Sequence, residues 1–310
     1  MRKQNELDFG VAKEDHFKKI LDFCHVASES EEYILHFLPR WRTAGTLEGV
    51  VAMAGTELAG FGLTIKTREY AWLLGPRVNE QWHNLGVAER LTAMRLAMAR
   101  ERGLPAKTAI FENDGYLAAI LARLGFSLQG GWTIAYAKAD ALEYVPPHLG
   151  TLIQKGAPAD RLSILAFLSS AFPLHAENEA LYGENFVWYP LESSLAELLG
   201  SGRVLLEIDA SGNTIGVAIV NITDFPSSEA PVLELCRVWG RSTAFIRHAK
   251  ALYEPKRIRW YLHGREEMHS ALRFGFEVPP VRVSAKRTRF QRYAIGSAAF
   301  QSSAISSRTI

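Results

Sequence analysis

Apolar positions along this chain switch between helical and strand spacing, and the order in which they switch occurs twice. Val87, Leu91, Met94 and Met98 recur on one face at helical spacing, and Gly103 stands where such a helix stops. Thr46 to Met53, Glu57 to Thr64 and Tyr70 to Val78 read as strands between polar turns, as do Val204 to Ile208, Thr214 to Asn221 and Pro231 to Val238. A helix pair precedes each set of strands, and a helix, a strand, a second helix and closing strands follow. That alternation predicts a mixed α/β sheet in each half of the chain.

The two halves also share local marks in the same order. EDHFKKILDFC, ending at Cys24, answers ADRLSILAFL, so Asp15 pairs with Asp160. TELAGFGL answers NTIGVAIV, pairing Gly60 with Gly216, and Leu124-Gly125-Phe126 answers Phe274-Gly275-Phe276. Nearly constant separation of such marks predicts two copies of one fold. Pro146-Pro147 and Gly150 interrupt both periodicities. They divide the chain into a first domain over residues 1–140, a linker over 141–150 and a second domain over 151–296. The Ser- and Ala-rich stretch 297–310 is expected to be a flexible tail.

Chemistry enters at Gly86, one residue before the helical run. A helix start leaves backbone N–H groups without partners and carries the positive end of the helix dipole, so a turn here can hold an anion such as a pyrophosphate. Gly86 lets the backbone come close to a ligand, and Ala88 keeps the first turn uncluttered. The stretch from Val78 to Phe126 resembles the acyl-CoA-binding half of the GNAT (GCN5-related N-acetyltransferase) family. The family's turn is Arg or Gln, two residues, Gly, one residue, then Gly or Ala. His83, Asn84, Leu85, Gly86, Val87 and Ala88 fill it, with the aromatic Trp82 just before. Val78 supplies the aliphatic end of the family's fourth strand, and Leu124-Gly125-Phe126 the usual end of its last helix. His83 departs from the usual Arg or Gln.

The resemblance implies two GNAT-like domains of the α/β (α+β) class, each a mixed, mostly antiparallel sheet flanked by helices. It further implies acetyl-CoA, or another acyl-CoA, as co-substrate, held by residues 83 to 88 and by Asn113. Leu74-Gly75-Pro76-Arg77-Val78 should bulge, because proline removes a ladder donor and glycine relaxes the backbone. In the family such a splay admits the pantetheine arm, and the amides of Arg77 and Val78 are the available donors. The alternative is that Gly75-Pro76 simply ends the strand at a turn. An amine would attack the thioester carbonyl, which needs an oxyanion donor, a base and an acid. The family's usual tyrosine and glutamate positions hold Leu121 and Trp72 here, so Tyr116 is the nearest phenol available as the catalytic acid. Glu69 and Glu80 read as solvated. Glu234 matters only if the halves share a cleft.

The second copy has no glycine where the first has Gly86, and bulky Phe245 and Ile246 stand near the matching place. The second half therefore reads as degenerate, shaping a substrate pocket or a subunit interface, and a homodimer is compatible with it.

Composition narrows the partners. The chain has 310 residues, 48% hydrophobic, and a formal charge of +2, enough for two cores and with no basic stripe for nucleic acid. Arg282 to Arg292 alternates as a strand with a charged face would. No apolar run reaches the roughly 18 residues that span a bilayer, and the charged N-terminus lacks a signal-peptide core, so a cytoplasmic protein with no membrane partner is expected. Cys24 and Cys236 cannot form a disulfide framework. The His263 to His269 stretch lacks the HExxH order, so no metal is expected. The functional expectation is acetyl transfer to a primary amine of a small molecule. The alternatives are a non-catalytic CoA-binding or structural module, and a transferase using an aminoacyl or longer acyl donor.

Overall fold

The computed structural model describes residues 6–27, 32–111, 114–142, 151–171, 181–184, 187–223, 231–240, 242–262, 264–277 and 289–295. Its elements are, in order, β1 (Asp8–Val11), α1 (Glu14–Ala27), α2 (Glu32–Thr43), β2 (Leu47–Ala54), β3 (Glu57–Lys66), β4 (Ala71–Leu73), β5 (Arg77–Val78), α3 (Val87–Glu101), β6 (Ala106–Phe111), α4 (Gly115–Arg123) and β7 (Ser127–Lys138). There follow β8 (Thr151–Lys155), α5 (Arg161–Ala171), β9 (Leu181–Glu184), β10 (Val187–Pro190), α6 (Leu191–Gly200), β11 (Val204–Asp209), β12 (Thr214–Thr223), β13 (Val232–Trp239), α7 (Ser242–Tyr253), β14 (Arg257–Leu262), α8 (Gly264–Arg273) and β15 (Arg289–Ile295). Among the described residues, no helix is long and apolar enough to cross a membrane.

The chain forms two compact units, Gly131–Arg289 on one hand and Met1–Gly130 with Phe290–Ile310 on the other. This differs from the expected division at 141–150. Trp132 lies past the boundary, and Thr133 to Lys138 of β7 pair antiparallel with β14 in the second unit. Phe290 to Ile295 of β15 pair antiparallel with β6 in the first. Each half thus receives its closing strand from the other half of the sequence. The expected tail 297–310 and most of the expected linker lie outside the described residues.

In the first unit β1, β2 and β3 form an antiparallel ladder, and both β4 and β5 pair antiparallel with β3. β4 runs parallel to β6. Helix α3 packs on β2 and β3. Val87 and Leu91, both fully buried, meet Val50, Ala52, Ala59 and Trp82 there. Each such aliphatic side chain contributes about 1.5–3 kcal/mol by its burial, so packing rather than propensity fixes this helix. The buried face is turned from the one the periodicity suggested. It runs through Val87, Leu91, Thr92, Arg95, Leu96 and Ala99, with Met94 and Met98 only half-buried.

The second unit repeats the plan. β8, β11, β12 and β13 are antiparallel neighbours, and β13 runs parallel to β14. A shared irregularity marks the two copies. The β2–β3 ladder shifts register between Ala52 and Met53, where Ala52 faces Gly60, and the β11–β12 ladder shifts between Glu207 and Ile208, where Glu207 faces Gly216.

Candidate functional site

The turn ahead of α3 is built by short-range bonds. The Asn79 side chain accepts from the Gln81 N–H at 3.2 Å, and the Asn79 carbonyl accepts from the Trp82 N–H at 2.8 Å. Trp82 is buried and anchors the turn from below. His83 is exposed, and its Nε2 donates to the Val78 carbonyl at 2.9 Å, so it ties the end of β5 to the turn. That carbonyl can only accept, which fixes the ring tautomer with the proton on Nε2.

Two left-handed residues then aim the backbone. Asn84 has φ +62° and Gly86 φ +73°, and Gly86 caps α3 with no side-chain hydrogen bond. Among the described residues, no protein oxygen accepts from the N–H groups of Asn84 through Glu89. The Arg90 N–H is the first to be bonded, to the Gly86 carbonyl at 3.0 Å. Unpaired donors at the positive end of a helix are the elements of an anion site. Leu85, Gly86 and Ala88 are partly exposed and Val87 is buried, so the peptide edge is open while the side chain below it holds the core.

The splay lies upstream. β4 pairs with β6 only as far as Leu73 opposite Thr108, while β6 continues to Phe111. Its continuation β5 pairs with β3 alone, Arg77 opposite Phe61 and Val78 opposite Gly60. Between Leu73, which faces Thr64, and Arg77, the β4–β5 segment spends one residue more than β3 does, which is a bulge. Gly75-Pro76 therefore does more than end a strand, since the chain rejoins the same neighbour. The Asn79 N–H bonds the Ala59 carbonyl at 2.9 Å, so strand alternation turns the Arg77 N–H toward β3 and the Val78 N–H toward the open side. Of the two donors expected from the sequence, only Val78 faces the splay.

Gly60 permits this geometry, because a Cβ there would stand 2.8 Å from the Arg77 carbonyl oxygen. Arg95 of α3, 2% exposed, reaches the same bulge. Nothing in the sequence reading singled it out. The available signal was an arginine at the i+4 position after Val87 and Leu91, inside an otherwise apolar stripe.

The remaining expected positions are less directly placed. Tyr116 lies in the first turn of α4 and is 54% exposed. Asn113 lies outside the described residues. Trp72 and Leu121, at the family's usual polar positions, are buried in the first unit. Glu89, in the first turn of α3, is held below the usual carboxylate range by its hydrogen bonds to Arg123, which donates from Nη2 at 2.6 Å. Among the described residues, no cluster of three or more His, Cys, Asp or Glu could hold a metal.

No family model matches the sequence, and no curated protein matches it. The comparison with solved structures decides the fold. A GCN5-related N-acetyltransferase from Sphaerobacter thermophilus is similar over 96% of this chain and 97% of its own, with TM-score 0.64 and 11% identity. A tandem GNAT protein from the clavulanic acid biosynthesis pathway is similar over 94% of this chain and 98% of its own, with TM-score 0.59 and 14% identity.

The chain has a tandem GNAT fold.

The glucosamine N-acetyltransferase region of a fungal multi-domain β-N-acetylglucosaminidase shares the fold at TM-score 0.65 and 13% identity, over 93% of this chain and 38% of that one. Within this tandem GNAT fold the second unit is filled at the places that stay open in the first. Gly240, with φ +102°, lies before α7, but a Cβ on it would stand 2.9 Å from the Gly216 Cα, so it is pressed against protein. Phe245 and Ile246 are buried in the core. Where β13 and β14 diverge, Arg237 stacks on Trp132 and Trp239, and Trp188 meets both Trp132 and Tyr261 edge-on. Glu234, fully buried, accepts from Arg259 Nη1 at 2.8 Å and from Tyr261, Asn221 and Thr223 at 3.1 Å, so its carboxylate is engaged by protein donors.

Proposed function

We propose that the first unit binds an acyl-CoA and transfers its acyl group, most simply acetyl, to a primary amine of a small molecule. The observation that carries this reading is the run of N–H groups from Asn84 to Glu89 that find no protein acceptor among the described residues, next to a splay bordered by Val78. The residues fit the ligand. A diphosphate suits the α3 start, and an amide-bearing arm suits a strand edge left without a neighbour.

Acyl-CoA supplies an acyl group activated as a thioester. The chain's own part is to hold and orient it. Val78 offers an outward N–H, His83 fixes the Val78 peptide, and the backbone around Gly75 offers a donor to the acyl oxygen as negative charge develops there. During transfer the amine nitrogen bonds the acyl carbon, the carbon–sulfur bond breaks, the nitrogen loses a proton and the thiolate gains one. Tyr116 is proposed as the acid that gives its phenolic proton to the thiolate, the proton released by the amine returning to the phenolate through solvent.

A second reading, a CoA binder without catalysis, is favoured by one specific observation. Trp72 and Leu121 are both buried and apolar where relatives of this kind carry acid or base groups. Two measurements separate the readings. Acetyl-CoA should raise the melting temperature, and thiol release should follow on some member of an amine panel. No shift with any acyl-CoA defeats both readings, whereas a shift without thiol release over a broad panel favours the binder.

A further inference from the structure

Three consecutive carbonyls of the bulge are each held by a different side chain. Thr108 Oγ1 of β6 donates to the Leu73 carbonyl at 2.6 Å, Arg95 Nη1 of α3 donates to the Leu74 carbonyl, and Arg77 Nη1 donates to the Gly75 carbonyl at 2.9 Å. Three such ties in succession fix the orientation of each peptide plane.

The middle tie is the unusual one. Arg95 is 2% exposed, and its other bonds go to the Leu63 carbonyl at 2.9 Å, the Leu91 carbonyl at 3.3 Å and Thr92 Oγ1 at 3.1 Å. Among the described residues it has no carboxylate partner. Burial lowers its pKa to about 9, with the charge of Arg77 adding to the effect. Burying a guanidinium among neutral acceptors is costly, and apolar residues of the same length would fill the space more cheaply. The sheet makes room for it. A Cβ on Gly62 would stand 2.6 Å from Arg95 Nε and 2.7 Å from its Cζ, so only glycine lets the guanidinium lie there.

The direction of the next amide follows. The Leu74 N–H donates to the Leu63 carbonyl at 3.0 Å, toward β3. In a trans peptide the carbonyl and the following N–H point in opposite directions, so holding the Leu74 carbonyl toward Arg95 turns the Gly75 N–H away from β3. That is the side on which β6 has parted from β4. No protein oxygen among the described residues accepts from the Gly75 N–H. Pro76 has no N–H, so Gly75 is the donor nearest the apex of the splay, with Val78 nearer the α3 turn. A cationic donor on the carbonyl of a peptide polarises its N–H, so the chain from guanidinium through peptide to acyl oxygen strengthens cooperatively.

We propose that Arg95 is a positioning residue for the acyl group: by gripping the Leu74 carbonyl it aims and polarises the Gly75 N–H as the hydrogen-bond donor to the thioester carbonyl. This rests on the acyl-CoA reading above and deepens it. Arg95 acts through the backbone and touches no substrate.

The test uses the full chain with CoA and with acetyl-CoA carrying a ¹³C-labelled carbonyl, and reads binding by calorimetry and the bound carbonyl stretch by infrared difference spectroscopy. The wild type should shift the stretch to lower frequency than in free acetyl-CoA. Arg95→Met and Gly75→Pro should abolish that shift and weaken acetyl-CoA by up to about tenfold, with CoA affinity held within about threefold. Arg95→Lys should restore part of the shift. Where Arg95→Met fails to fold, Gly62→Ala displaces the guanidinium without deleting it and should give the same loss. An unchanged carbonyl shift in the folded variants overturns the proposal alone. Failure of the wild type to bind either compound overturns it together with the acyl-CoA reading.

Discussion

Glu207 faces Gly216 across the β11–β12 ladder, with its Oε2 3.1 Å from where a Gly216 Cβ would stand. In the first unit Ala52 faces Gly60 beside the same register shift. The second copy thus carries a carboxylate at a core position where the first carries a methyl group. Glu207 is fully buried, and neither of its carboxylate oxygens has a hydrogen-bond partner among the described residues. An unsatisfied buried polar group costs about 1–3 kcal/mol. Glu207→Met, of similar volume, should therefore raise stability by roughly that amount in urea denaturation. A destabilised variant would show that the carboxylate is satisfied in a way this geometry does not contain.

Glu234 is the opposite case. Four donors surround it, and Arg259 is its ionic partner. Glu234→Ala leaves a buried guanidinium uncompensated, with an expected loss of about 3–5 kcal/mol. Urea titration checks this, and a loss below about 1 kcal/mol would contradict the network's structural role.

Gly86→Val places a β-branched side chain at φ +73° and over the open N–H groups of α3. Backbone strain costs about 1–2 kcal/mol. Wild type in acetyl-CoA at a hundred times its dissociation constant should gain about 2.7 kcal/mol. The variant should gain almost none. A melting-temperature shift equal to that of the wild type would remove residues 84 to 89 from the ligand site.

His83→Ala cuts the bond between the turn and the Val78 carbonyl. The side chain is exposed, so the fold should survive. CoA affinity should fall by about three- to tenfold, in line with the loss of one positioning hydrogen bond. Unchanged affinity by calorimetry would show that the turn holds its shape without the ring.

Tyr116→Phe removes only a hydroxyl from an exposed position on α4. With an acceptor amine in hand, kcat should drop about 10²-fold while the acetyl-CoA dissociation constant stays the same. An unaltered kcat would pass the acid role to solvent or to another group.

Much of this protein was readable from residue order. The element order and the α3 turn follow from local spacing, alternate residues in strands and every third or fourth in helices, and the duplication from the same marks recurring in order, so Gly86, Val87 and Leu91 place the start of α3 from residue order alone. The apolar character of Trp72 and Leu121, which weighs against the usual acid and base, was equally visible. Three matters were settled only in three dimensions. Backbone donors and acceptors are alike at every strand edge, so no local pattern states that β15 closes the first unit and β7 the second. An arginine reads as a solvated residue by its chemistry, and only the packing of α3 over Gly62 turns Arg95 inward onto the Leu74 carbonyl. The direction of the Gly75 and Val78 amides depends on which neighbour each strand keeps and where it loses one, a property of the assembled sheet and not of the residues themselves.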